Sequence, residues 1–156
     1  MQWSKLRASV RALICPELRQ RVDFHVTQYR VGTSSKSGLV TIDGKRVLPL
    51  SYFRFCRHGD GWFASGESET KWSPKQRDEI HPPQQLGDAM RAYLDMPIKA
   101  ALRRSSNPFI RSLAIIDRRV GKRTLEELKI GDREHSLVKK FYRLRMSTPA
   151  MCDKPD

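Results

Sequence analysis

Two spacings of hydrophobic residues divide this chain. Between Leu6 and Ile14 the apolar residues recur every three or four positions, which predicts an amphipathic helix. Between Val22 and Val26 they alternate with polar residues, which is the period of a half-buried strand. From Gln84 onward the helical spacing returns. The pattern therefore predicts one helix, then strands, then a helical second half.

Turn residues define the predicted sheet. Asp43 and Gly44 lie between two apolar runs, and Asp-Gly suits the positive φ angles of a type I′ turn. We therefore predict an antiparallel hairpin over Leu39–Leu50. The Ser- and Gly-rich segment Gly32–Gly38 predicts a flexible loop, and the polar, Pro-containing segment Ser65–Pro83 predicts another.

Helix boundaries in the second half follow from capping residues. Asn107 before Pro108 predicts a helix start, because Pro is tolerated in the first turn. Gly121 predicts a break with positive φ, and Thr124 predicts the start of the next helix through a capping box. A last helix is expected from about Ser136 to Met146. Strands followed by a run of helices indicate an α+β fold with helices covering the sheet.

The length of the chain fits one domain. We predict a single basic domain over residues 1–146, with a flexible tail over residues 147–156 that contains two prolines and little to bury. The chain has 156 residues, enough to bury a core without disulfides or metals.

Charge is the strongest compositional feature. Thirty Lys and Arg residues face seventeen Asp and Glu residues, which gives a formal net charge of +13. The excess lies in the two ends of the sequence, on either side of a nearly neutral middle. A basic surface attracts nucleic acid, an anionic membrane or an acidic protein.

The sequence also predicts a compartment. No apolar run marks a signal peptide or a membrane span. The three cysteines form no CxxC pair, and Cys15 and Cys56 have apolar neighbours, so we expect buried thiols and no zinc site. The resulting prediction is a cytoplasmic protein without a metal, a cofactor or a membrane partner.

Two basic segments are the candidate binding sites. The first surrounds a predicted helix end between Asp117 and Arg123, and the second follows the outer face of the last helix, on which Arg145 is also expected. Basic side chains in such positions contact phosphates and carry no base specificity. The candidate residues are Arg118, Arg119, Lys122, Arg123, Lys139, Lys140 and Arg143.

Weaker patterns suggest catalysis. Asp60, Glu69 and Lys71 match a loose Asp…Glu-x-Lys pattern, in which carboxylates hold Mg²⁺ and Lys activates water. His25 follows Asp23 by two residues on the same strand face, and a carboxylate can orient a histidine that acts as a base. More often, such a pattern is simply the solvated face of a strand. Aromatic residues such as Tyr52 and Trp62 can stack on bases or pack in the core.

Four segments resemble a known family. They are Trp3–Leu6, Arg21–His25 with Tyr29 and Arg30 after it, Val40–Lys45, and Asp117–Arg123, the last with the sequence DRRVGKR. These segments are similar to a family of small uncharacterised bacterial cytoplasmic proteins, and the resemblance spans about residues 1–146. It implies one continuous domain and a bacterial setting, and it implies no activity, cofactor or catalytic residue.

The leading hypothesis is a non-catalytic basic module that binds nucleic acid or another polyanion. A protein-interaction or regulatory subunit of the accessory or immunity type, with an acidic partner, is the first alternative. A small metal-dependent nuclease is the second. The hypotheses differ in salt dependence, because only phosphate contacts require affinity to fall steeply with salt.

Overall fold

The described part of the chain runs from one helix through a series of strands to a series of helices, the order that its hydrophobic spacing predicts. A computed structural model describes residues 2–31, 33–47, 55–58, 61–64, 83–131 and 134–148, with backbone alone for 27–31, 33–37, 55–58, 61–64 and 83–85. The helices are α1 (Trp3–Leu13), α2 (Pro83–Asp95), α3 (Ile98–Arg103), α4 (Pro108–Ile115), α5 (Lys122–Glu126) and α6 (Ser136–Met146). The strands are β1 (Val22–Val31), β2 (Thr33–Ile42), β3 (Lys45–Arg46), β4 (Phe55–His58) and β5 (Gly61–Ala64). The predicted α+β class, with a helical second half, is confirmed.

The antiparallel sheet is built from β1, β2 and β3 in that order, and β4 and β5 form a separate two-stranded sheet. Val22 pairs with Ile42 at one end of the β1–β2 ladder. Asp43 and Gly44 have φ angles of 51° and 72°, as a type I′ turn requires at both central positions. The predicted Asp-Gly hairpin is therefore confirmed. Its second strand covers Lys45 and Arg46, and residues 48–50 lie outside the described residues.

The predicted loop over Gly32–Gly38 is wrong. Residues 33–38 belong to β2 and pair with β1 along its outer half, where Ser37 lies opposite Thr27 and Thr33 lies opposite Val31. Ser and Gly have low strand propensity. The long β1 strand supplies a complete row of backbone partners, and this ladder decides the conformation. The predicted loop Ser65–Pro83 lies outside the described residues except for Pro83, which begins α2.

Capping explains one helix start and corrects another. The Asn107 side chain accepts hydrogen bonds from the amides of Phe109 at 2.9 Å and Ile110 at 3.4 Å, which confirms the predicted start of α4. Gly121 has a φ of −74° and is the N-cap of α5. It neither adopts positive φ nor ends a helix, and the predicted capping box at Thr124 is wrong. Helix α4 already ends at Ile115, because the chain then pairs with the end of α1.

The core lies where the sheet meets the second-half helices. Helix α4 packs on α2, α3 and α6, and α2 packs on α1 and β2. The rings of Phe24 on β1 and Phe109 on α4 meet edge to face at 5.9 Å between centroids, a favourable aromatic geometry. Both residues belong to one continuous buried cluster. The N-terminal and C-terminal parts of the chain therefore share one core.

Cys15 is completely buried, as predicted. Its sulfur takes part in a disulfide and is not the free thiol that the sequence predicts. Among the described residues, no helix is both long and apolar enough to cross a membrane.

Candidate functional site

One side of the last helix carries a stripe of exposed cations. Lys140 and Arg143 are three residues apart on α6 and are both exposed, so they lie on the same face. Leu144 and Ser147 continue that face, each four residues after one of the two cations. The opposite side of α6 buries Leu137, Val138 and Phe141 in the core. The amphipathic pattern therefore fixes which way the cations point.

A second row of cations comes from the hairpin. Lys45 and Arg46 follow the type I′ turn and are both exposed. The hairpin is held against α6 by a hydrogen bond of 2.9 Å that the Lys140 ammonium donates to the carbonyl of Val47. The buried side chains of Val47 and Leu144 lie in the same core cluster below this contact. Tertiary packing thus joins cations that lie nearly a hundred residues apart in sequence.

An open groove separates the two rows of cations, and we call it the basic groove. Its volume is about 470 Å³, within the range of roughly 300–1,000 Å³ found for ligand pockets. Apolar side chains form its floor and cations form its walls, and no carboxylate is among the lining residues in the described part of the chain. The lining residues are Ile42, Lys45, Arg46, Val47, Lys140, Arg143, Leu144 and Ser147.

Among the described residues, no neighbouring acid cancels the charge of the basic groove. Asp43 is close to Lys45, yet both of its oxygens accept hydrogen bonds of 2.7 Å from the guanidinium of Arg21. These bonds, opposed by desolvation and supported by the charges of Arg21 and Lys45, hold the pKa of Asp43 below its usual value. No ion pair joins any of the four groove cations to a carboxylate of the described residues.

The other predicted basic segment has a different character. Asp117 is 1% exposed, and its carboxylate accepts hydrogen bonds from the Tyr93 hydroxyl and from the backbone amide and guanidinium of Arg119. Asp117 also pairs with Ile14 in an isolated bridge, and the amide of Arg118 donates to Leu13 at 2.8 Å. We call Tyr93, Asp117, Arg118 and Arg119 the Asp117 corner.

The Asp117 corner ties three helices together. Its members come from α2 and from the segment after α4, and they contact the end of α1. Burial, followed by the charge and hydrogen bond of Asp117, raises the pKa of Tyr93 far above its usual value. The hydrogen bond to Asp117 raises the pKa of Arg119, although partial burial opposes it. The corner is therefore a structural network in which the guanidinium of Arg119 already has an anion.

The structure divides the seven predicted binding residues. Lys140 and Arg143 line the basic groove, whereas Arg119 pairs with Asp117. The Lys122 ammonium donates to the carbonyl of Thr148, next to Ser147 at the end of the groove. Lys139 lies beside Lys140 on α6 and is partly buried. Arg118 and Arg123 are exposed, but no described contact joins them to the groove.

Arg145 is a correction to the predicted outer face of the last helix. Its side chain is completely buried, and its guanidinium donates to the carbonyl of Val120 at 3.1 Å. Residues 141 and 145 are four apart and lie on one helix face, so Arg145 shares the buried face of Phe141. It holds the turn before α5 against α6 and is not available to a ligand.

A third charged cluster lies between α1 and β1. Asp23 accepts hydrogen bonds from Arg7 at 2.5 and 3.0 Å and from Arg11 at 2.9 Å, and the His25 ring lies 3.3 Å away. Burial raises the pKa of Asp23, but the hydrogen bonds that it accepts from Arg7 and the Phe24 amide together lower it by more. The pKa of Asp23 therefore lies below its usual value. The predicted Asp–His contact exists, but the carboxylate is shared with two arginines, which weakens its use in orienting a base.

The predicted nuclease residues Asp60, Glu69 and Lys71 lie outside the described residues, so that hypothesis stays a prediction. Within the described residues, no group of three or more His, Cys, Asp or Glu side chains comes close enough to hold a metal. The aromatic candidates Tyr52 and Trp62 have no described side chains.

Sequence reasoning missed Lys45 and Arg46. The only available indication was the positive excess in the first fifty residues, which did not show which of nine cations would face the last helix. The hairpin prediction placed both residues next to a turn. Their position across from Lys140 and Arg143 depends on how the sheet packs on α6.

Comparison with known proteins adds a family. A family model described as the SF0329 protein family matches residues 2–146, nearly the same span as the predicted family resemblance. No curated protein and no solved structure matches the chain. The match includes both walls of the basic groove and the whole Asp117 corner.

Proposed function

The chain belongs to the SF0329 protein family, and we propose that it is a non-catalytic module that binds nucleic acid or another polyanion through phosphate contacts in the basic groove. The proposal keeps the class of ligand that the net charge of +13 suggests and changes the residues that bind it. Lys45, Arg46, Lys140 and Arg143 are the binding residues. The proposal includes a bacterial cytoplasmic setting, where nucleic acid is an available ligand.

One observation carries the proposal: four exposed cations from two distant parts of the sequence line a single groove, and no carboxylate is among the described residues that line it. Cations spread for solubility alone would be interspersed with acids and would not converge. Convergence matters because each phosphate contact releases condensed counterions, which favours binding. The gain in binding free energy adds up when one ligand makes several such contacts at the same time.

The Asp117 corner contributes little to this function. The guanidinium of Arg119 would have to leave a buried carboxylate to bind a phosphate, and that would leave Asp117 with an uncompensated charge. Helix α5 has only five residues, and its first turn is capped by Gly121 without a side-chain bond. The cations between Asp117 and Arg123 are therefore poor candidates for an anion site.

An acidic protein partner remains the second candidate. The floor of Ile42, Val47 and Leu144 favours it, because apolar anchors surrounded by basic side chains are typical of protein interfaces. The two functions are separated by salt dependence. An interface that depends on apolar anchors loses less affinity with salt than one that depends on phosphates.

The test is fluorescence anisotropy of a short labelled oligonucleotide with the full chain. Four phosphate contacts predict a salt slope of about 0.7–0.9 for each contact, which makes binding about 50- to 150-fold weaker at 200 mM than at 50 mM salt. We expect the double variant Arg46→Glu/Arg143→Glu, with one reversal on each wall, to weaken binding by at least about tenfold.

A matched control carries the same charge change elsewhere. Lys99 on α3 and Arg104 just after it are exposed and do not line the groove, so Lys99→Glu/Arg104→Glu should stay within about twofold of the parent at equal salt. Equal losses in both double variants would show that net charge and not the groove sets affinity. Binding that does not change with salt would contradict the phosphate mechanism itself.

A further inference from the structure

The floor of the basic groove differs chemically from its walls, and this difference bears on the form of the ligand. Ile42 is a partly buried hydrophobic residue on β2, and Val47 and Leu144 are each 7% exposed. Cationic side chains border this apolar strip on both sides. A ligand that fills the groove must therefore offer negative charge at its edges and an apolar surface between them.

From this pattern we infer that the groove takes a single-stranded segment of nucleic acid, with the phosphates on the cationic walls and a base or sugar on the Ile42 side of the floor. The inference rests on the proposed function and narrows its ligand. A single strand can turn an unstacked base toward an apolar surface, whereas its backbone follows cations.

Duplex nucleic acid does not match the groove as well. The faces of its bases are stacked inside, and its surface presents phosphates and sugars to any partner. A groove of about 470 Å³ accommodates a ligand of a few residues and not the width of a double helix. A duplex could contact only the outer ends of the wall cations and would leave the floor uncovered.

An acidic peptide is the competing macromolecule. It can place carboxylates on the walls and an apolar side chain on the floor. The guanidinium groups of Arg46 and Arg143 bind carboxylate and phosphate alike in a bidentate manner, so they do not separate the two ligands. Nucleic acid is favoured because it carries one negative charge on every residue, which the four converging cations match, whereas the peptide loses a charge wherever it places an apolar side chain on the floor.

The experiment compares four labelled probes with the full chain at one salt concentration: single-stranded DNA, single-stranded RNA, the duplex of the same sequence, and a Glu-rich peptide of equal length. We expect either single strand to bind at least about fourfold more tightly than the duplex, the gain for burying about one methylene of apolar surface on the floor. The Glu-rich peptide should bind more weakly than the single strands.

A variant of the floor separates base contact from charge. Ile42→Thr keeps a β-branched residue in the strand and removes apolar surface without changing charge. It should weaken single-strand binding by about fourfold, the loss for one methylene contact, with no change in salt slope or in duplex affinity. Ile98→Thr on α3 makes the same change at another partly buried isoleucine and should leave binding unchanged.

Each outcome decides one of the two proposals. If single strand and duplex bind equally and Ile42→Thr affects neither, the groove binds phosphates alone, and the inference fails while the proposed function stands. Tighter binding of the duplex or of the peptide also overturns the inference. If Arg46→Glu/Arg143→Glu weakens no probe, both proposals fail. Circular dichroism confirms folding, and Ile42→Val, with a smaller loss expected, replaces Ile42→Thr if that variant unfolds.

Discussion

The basic groove and the Asp117 corner are built from the same residue types and have opposite properties. The corner belongs to a dense run of cations, with four in the seven residues from Asp117 to Arg123, and the run from Lys139 to Arg145 on α6 is equally dense. In the corner, Arg119 ion-pairs with a carboxylate that is 1% exposed. The groove draws its four cations from α6 and from the hairpin, and none of them has an ion pair with a described carboxylate.

This contrast shows that the density of charge along a sequence does not measure the charge available to a ligand. A carboxylate within the dense run, here Asp117, can turn its neighbours into internal structure. Cations in separate segments become a site when packing brings them together away from acids. Three predictions test how completely the two regions divide these roles, from the largest expected effect to the smallest.

The largest effect is expected on stability from the corner. Asp117→Asn removes the charge that Tyr93 and Arg119 share, and removing one partner of a buried charged network is strongly destabilising. We expect a loss of about 3 kcal/mol in the free energy of unfolding, less than for a fully buried pair because the Arg119 side chain is 46% exposed. Urea denaturation followed by tryptophan fluorescence measures it.

The control for this prediction is Asp88→Asn, which removes an exposed helical ion pair with Arg91. Its cost should stay within about 0.5 kcal/mol. If the two variants were equally stable, the corner would be an ordinary surface pair, and Arg119 would again be a candidate ligand-binding residue.

The second prediction compares one arginine from each region, Arg143 of the groove in ligand binding and Arg119 of the corner in stability. Arg143→Ala should weaken oligonucleotide binding and lower the salt slope by about 0.7–0.9, the share of one phosphate, while stability stays within about 0.5 kcal/mol of the parent. Arg119→Ala should lower stability by at least about 1 kcal/mol and leave the salt slope unchanged.

Anisotropy titrations and urea denaturation on the same two variants measure both quantities. The division of roles would be refuted if Arg119→Ala lowered the salt slope as much as Arg143→Ala does. It would also be refuted by an Arg143→Ala protein that binds normally, because an exposed groove cation would then have no part in binding.

The smallest effect concerns the Asp23 cluster, which resembles the corner in pairing its arginines with an acid. The pKa of Asp23 is lower in the folded chain than its ordinary value, so its stabilisation is present above pH about 4 and is lost as pH falls through the folded pKa. In the Asp23→Asn variant, the free energy of unfolding should therefore fall less over this acidic pH range than in the parent. The difference should be less than about 1 kcal/mol because the group is partly exposed.

Thermal unfolding of parent and variant between neutral and acidic pH measures this difference. If the variant lost as much stability in acid as the parent, Arg7 and Arg11 would not be held by Asp23 in solution. These two arginines would then join the groove cations as candidates for ligand contact, and the comparison between the regions would have to be redrawn.

Much of the fold followed from local sequence patterns. The hydrophobic spacing over Leu6–Ile14 and Val22–Val26 predicted α1 and β1, and Asn107 with Pro108 predicted the start of α4. The Asp43–Gly44 turn was predicted because only a few residue types tolerate positive φ at both positions. These features depend on residues that are neighbours in sequence, so a single sequence contains the necessary information.

The errors arose where a distant partner decided the outcome. Thr33 to Gly38 form a strand because β1 offers backbone partners, against the local preference of Ser and Gly. Gly121 caps a helix instead of ending one because α4 ends at Ile115, and the chain pairs with Ile14 and turns over Asp117–Val120 before it reaches Gly121. Arg145 is buried because the carbonyl of Val120 is within reach of its guanidinium.

The sequence by itself determined that the protein is an α+β molecule with a large positive excess at both ends, because composition and short-range periodicity contain that information. The tertiary structure alone decided which cations line the basic groove. Whether a guanidinium is neutralised or exposed depends on the carboxylates and carbonyls that folding places beside it. Asp117 does this for Arg119, and the packing of the hairpin on α6 leaves Lys45, Arg46 and Arg143 pointing into an open groove.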